Sequence, residues 1–74
     1  MSNPFAEWLA SQPHGVMTRI FRASGVSWNT LQRARRGEKV GLARAIRISR
    51  ATGNAVPVEA LTDELIPEDH AAVA

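Results

Sequence analysis

The chain predicts an all-α fold, a compact bundle of five short helices. Three observations carry that expectation. Apolar residues recur at helical spacing in successive segments: Phe5, Trp8 and Leu9; Val16, Ile20 and Phe21; Leu31 and Ala34; Leu42, Ala45, Ile46 and Ser49. Glycine, proline and small capping residues separate these segments, at Pro13-His14-Gly15, Ser24-Gly25-Val26-Ser27, Gly37 and Gly53-Asn54. No stretch alternates like a strand; the nearest, 54–58, is short and contains Pro57.

Asn3 is placed to cap the first helix, with Pro4 in its first turn and Glu7 favourable to the helix dipole. The second helix is expected over Val16 to Ser24, burying Val16, Ile20 and Phe21 and leaving Arg19 and Arg22 wet. Gly25 tolerates the positive φ that a tight helix–helix turn requires, and Val26 plugs that turn into the core. Ser27 caps a third helix over Trp28 to Arg36, which Gly37 stops. Helical geometry turns Leu31 and Ala34 inward and puts Trp28, Asn29, Gln32, Arg33 and Arg36 on the opposite face. After the connector 38–41 comes a fourth helix over Leu42 to Thr52. A short fifth helix is expected from Pro57 through Val58 and Leu61 toward Leu65. The domain is expected over 3–66, with 67–74 a frayed tail.

The chain has 74 residues and no cysteine, so neither a disulfide nor a Cys-based zinc site staples it. Domains below roughly 80 residues are marginal without staples or oligomerisation, so helix packing and a homodimer are the expected supports. The N-terminus lacks a basic region followed by an apolar stretch, so no secretory leader is expected. No apolar run approaches the roughly 20 residues that span a bilayer. His14 and His70 have no partners at metal-ligand spacing. There is no triad arrangement and no phosphate-cradling glycine loop, so neither an enzyme nor a cofactor or metal site is expected.

The formal charge of +2 hides a strong polarity. All nine Lys and Arg residues lie between Arg19 and Arg50, where Glu38 is the only acid, so that window carries +8. Residues 51–74 hold Glu59, Asp63, Glu64, Glu68 and Asp69 and no Lys or Arg. A polyanion is the partner that this window suits, and two helices joined by a tight turn within 17–36 point to duplex DNA. A helix fits the major groove when donors and acceptors line its exposed face. Asn29 and Gln32 can each bond adenine bidentately; Arg33 and Arg36 can bond guanine or grip phosphates. Trp28 has two readings: contact with a thymine methyl, sugar or phosphate, or partial burial that props the helix start. Thr18 and Arg19 open the second helix, whose N-terminus can face a phosphate, and Lys39 beside the third helix is a further phosphate candidate. Arg44, Arg47 and Arg50 read as a solvated stripe or as partners of the acidic end.

At these residues the chain resembles the lambda-type Cro/CI repressor family of XRE-like helix-turn-helix regulators, and within it the small phage Cro-like proteins and YdaS-type antitoxin regulators. The resemblance rests on GVSWNTLQRARRGEKV, with Gly25, Val26 and Leu31 at the turn and core positions, and on ARAIRISRATGNAVPVEAL. It implies a five-helix lambda-repressor-like DNA-binding domain with a helix-turn-helix, in a cytoplasmic, nucleoid-associated transcriptional regulator that binds a palindromic operator as a dimer. By position it makes Trp28, Asn29, Gln32 and Arg33, with Ser27 and Arg36, the base-reading set. The chain departs from the family pattern at Met17, where a phosphate-holding Gln is common and Thr18 can substitute. It also carries Phe21 for a small residue, and Ser24 and Ala34 for larger ones. Those exchanges suggest that core bulk has moved to Phe21.

The function expected from this is repression by promoter occlusion, with Val58, Leu61 and Leu65 of the apolar segment 56–66 as the dimer contact. Two alternatives stand beside it. One is an antitoxin that binds a toxin protein through the acidic segment 59–69 and regulates its own operon. The other is a helix-turn-helix used only for protein contacts.

Overall fold

The computed structural model describes residues 3–64. Among them are four α-helices and one 3₁₀ turn, and no strand: α1 Pro4–Ala10, α2 Val16–Ser24, α3 Trp28–Arg35, α4 Leu42–Ala51, then the 3₁₀ turn Val58–Ala60. The fifth helix expected from Pro57 is thus a single 3₁₀ turn within the described chain. The tail 67–74, with Leu65, Ile66 and His70, lies outside the described residues.

The helix ends follow from local chemistry. Asn3 Oδ1 accepts the Ala6 N–H at 2.9 Å and caps α1. Its Nδ2 donates to the Arg35 carbonyl at 3.1 Å, so the same side chain also satisfies the end of α3. Gly25 adopts φ +68° and returns its N–H to the Phe21 carbonyl. Ser24 Oγ accepts the Val26 N–H at 3.2 Å, which fixes the turn and aims Val26 inward. Ser27 Oγ accepts the Thr30 N–H at 3.2 Å and starts α3. Gly37, at φ +95°, ends it: the Gly37 N–H donates to the Ala34 carbonyl and the Glu38 N–H to the Arg33 carbonyl, a Schellman cap. Gly41 gives α4 no side-chain cap; Glu64 supplies one from 22 residues away, its Oε2 accepting the Leu42 N–H at 2.8 Å.

The core gathers Phe5 and Leu9 of α1, Val16 and Ile20 of α2, Val26 of the turn, Leu31 and Ala34 of α3, Ala45 and Ile48 of α4, and Val56 and Leu61 beyond. α2 packs on α4, and α1 on α3. Three expectations are corrected here. Phe21 is 41% exposed and does not fill the core; it sits against Trp28, so core bulk has not moved to it. Ile48 is fully buried, whereas Ile46 and Leu42 are half-buried. The buried face of α4 is rotated toward Ser49 and Thr52, because their hydroxyls are occupied in holding the next segment. Ser49 Oγ donates to the Val56 carbonyl, Thr52 Oγ1 to the Ser49 carbonyl, and Thr52 Oγ1 accepts the Val56 N–H. Leu61, expected at a dimer contact, is 2% exposed in the single chain, and Val58 packs half-buried against the same core. The described part of that segment, Val56, Val58 and Leu61, packs against its own domain, and the Val40 N–H donates to the Leu61 carbonyl. Leu65, the third residue of that contact, lies outside the described residues.

Candidate nucleic-acid interface

α3 is anchored through Leu31 and Ala34, and this burial decides which of its side chains reach solvent. Asn29, Arg33 and Arg36 are exposed, Gln32 is half-buried beside them, and Trp28 opens the helix at 42% exposure. The sequence-selected set therefore does share one surface. Ser27 is exposed, but its hydroxyl is committed: it caps Thr30 and donates to Thr30 Oγ1 at 2.9 Å. Its role in the geometry is to set the start of the helix.

Trp28 does not sink into the core. The Phe21 ring meets it edge-on, with centroids 5.8 Å apart and planes at 77°. The two rings form an aromatic ledge across the α2–α3 turn, and both residues remain exposed to solvent. The side-chain pattern gave no sign of it, since Phe21 falls on the helical period of a core residue.

Arg33 and Arg36 are joined by a residue that sequence reasoning treated only as an interruption of charge. Arg33 Nε donates to Glu38 Oε1 at 3.2 Å, and an Arg36 terminal nitrogen donates to Glu38 Oε2 at 3.3 Å. The Arg33 hydrogen bond, with the Arg36 bond and the charges of both arginines, holds the Glu38 carboxyl below its ordinary range against the opposing effect of desolvation. The signal for this pairing lay in Gly37: a left-handed cap folds the next residue back onto the last turn of its helix.

The phosphate candidates are more scattered. Thr18 and Arg19 are exposed on the first turn of α2, whose N-terminus is capped by Gly15 without a side-chain bond. This turn borders a groove of 590 Å³ whose walls include His14, Thr18, Trp28 and Arg35. Arg35 was not among the expected contacts, yet it joins α3 to that groove. Lys39 Nζ donates to the Ala60 carbonyl at 3.2 Å, so it bridges to the C-terminal segment while remaining exposed. Arg44, Arg47 and Arg50 line α4 in solvent, and none pairs with Glu59, Asp63 or Glu64 among the described residues. No group of His, Asp and Glu among the described residues is placed to hold a metal ion. No helix among them is long and apolar enough to cross a membrane.

No protein-family model, no curated protein and no solved structure matches the chain.

Proposed function

We propose that this chain is a sequence-specific duplex-DNA-binding transcriptional regulator, with α2 and α3 acting as a helix-turn-helix and α3 entering the major groove. The observation that carries the reading is the exposed face of α3. Asn29, Gln32, Arg33 and Arg36 form a polar-basic surface on a helix whose other side is pinned by Leu31 and Ala34. The +8 window around it supplies attraction without sequence information; the amide and guanidinium groups supply the information. Regulation is then steric, by occupation of a promoter. A homodimer would read two half-sites about 34 Å apart on one face of the duplex.

A second reading draws on the Phe21–Trp28 ledge, since exposed aromatic residues mark the centres of protein interfaces. On that reading the surface docks a protein, as an antitoxin docks a toxin. The surrounding arginines favour DNA, because interface centres are poor in charge.

One experiment separates the two. The full chain is titrated by fluorescence anisotropy with duplexes enriched by rounds of selection from a random library, against a scrambled duplex, over a salt series. The regulator reading expects selective binding to an enriched sequence with two related half-sites, and a steep loss of affinity with salt. Equal, weak binding to every duplex would leave the protein-docking surface as the better account.

A further inference from the structure

Glu38 stands where electrostatics disfavours it. It lies just past the C-terminus of α3, at the negative end of the helix dipole. It is also the single acid of the basic window, on the edge of the surface assigned to DNA, where a phosphate would be repelled. Its backbone is not free to move away. The left-handed Gly37 and the Glu38 N–H bond to the Arg33 carbonyl tie it to the last turn of α3. Arg33 is therefore bound to Glu38 twice, through its own carbonyl and through Nε, and Arg36 takes the second carboxylate oxygen.

We propose that Glu38 is the specificity-determining residue of this surface, a built-in competitor that occupies Arg33 and Arg36 until a cognate base edge replaces it. The inference rests on the DNA reading above and deepens it. Any duplex presents phosphates, and a phosphate offers an arginine little that the carboxylate does not already provide. Binding to arbitrary DNA must therefore break two ion pairs for no net gain, and it brings Glu38 toward the backbone. A guanine at the right place offers bidentate acceptors in fixed geometry, which the exposed carboxylate cannot match once Arg33 has entered the groove. The carboxylate also orients the free guanidinium groups, so less side-chain freedom is lost on docking. A glutamate carboxyl is ionised at neutral pH, so the competitor stays charged wherever the chain meets DNA.

The test compares the full-length wild type with Glu38→Gln and Glu38→Asp, on an enriched duplex and a scrambled duplex of equal length, across a salt series. Glu38→Gln is expected to bind the scrambled duplex roughly fivefold to tenfold more tightly at low salt and to steepen its salt slope by about one to two units, as two arginines become available to phosphates. Affinity for the enriched duplex should change less, so the ratio between the two falls. Glu38→Asp keeps the charge and should retain most of the ratio. If Glu38→Gln leaves both the ratio and the slope unchanged, or lowers affinity for both duplexes alike, the competitor role is wrong while the DNA reading stands. If the wild type does not discriminate between any duplexes, the DNA reading itself fails, and this inference with it.

Discussion

Arg33 serves two structures at once. Its carbonyl belongs to the cap of α3, and its guanidinium belongs to the surface, half-exposed and bonded to Glu38. A change to the side chain alone should spare the cap. Arg33→Ala and Gln32→Ala are each expected to cost about 1–3 kcal/mol on a cognate duplex and to broaden the range of sequences accepted. Competition binding against single-base variants of the site measures this, and unchanged discrimination in both would mean that another face reads the bases. Glu38 also gives the fold a pH dependence of known sign. Its carboxyl is depressed in the folded chain, so it contributes stability above the ordinary carboxylate range, and that contribution is lost as pH falls through the lowered value. Urea unfolding repeated between neutral and acid pH should show this loss in the wild type and a flatter profile in Glu38→Gln. A carbon-detected titration that placed Glu38 at or above its ordinary value would contradict the paired geometry.

Among the elements, the helices were legible where their ends are decided by neighbours in sequence. The range Val16–Ser24 follows from Gly15 and Gly25 at its two ends, the start of α3 at Trp28 follows from Ser27, and Asn3-Pro4 marks the start of α1. What escaped the sequence depends on contacts across the fold. Ile48 rather than Ile46 is buried because Ser49 and Thr52 are turned inward to hold Val56. Glu64, in the acidic segment that suits a docking surface, instead caps α4. The outward placement of Asn29, Gln32, Arg33 and Arg36 was legible, because it follows from helical periodicity. That of Phe21 was not, since period alone could not tell a core ring from a ledge. Two variants test these elements. Asn3→Ala removes the α1 cap and the bond to Arg35, and should lower stability by about 0.5–2 kcal/mol. Thermal unfolding should register this as a fall of several degrees, at about 4–8 °C per kcal/mol for a domain of this size. Phe21→Ala should cost about 0.5–1.5 kcal/mol, the worth of an edge-to-face pair, and shift Trp28 emission toward that of a solvated indole. A loss of about 3–5 kcal/mol would restore Phe21 to the core.

Over the whole molecule, the basic and acidic halves of the sequence are not separate bodies. The C-terminal segment is sewn to the basic half by Leu61 in the core, by Lys39 on the Ala60 carbonyl and by Glu64 on α4. Leu61→Ala should therefore cost about 2–5 kcal/mol, enough to unfold much of a small marginal domain. If Leu61 instead served a dimer, the variant would remain folded and sediment as a monomer. Lys39→Ala should weaken binding to all duplexes alike and reduce the salt slope by about one unit. Discrimination lost with it would give Lys39 a reading role.

Asn3 joins the first and third helices through both ends of one amide, which makes the chemical ageing of that amide a structural matter. Deamidation would keep the cap oxygen but replace the Nδ2 donor with an acceptor facing the Arg35 carbonyl. The usual route needs the following backbone nitrogen to attack the side chain and close a five-membered imide. Pro4 has no N–H to give up, so that ring cannot form. The proline that starts α1 also makes its neighbour durable, whereas Asn54, followed by Ala55 in an exposed left-handed turn, has no such protection. Peptide mapping of stored protein should find deamidation at Asn54 well before Asn3.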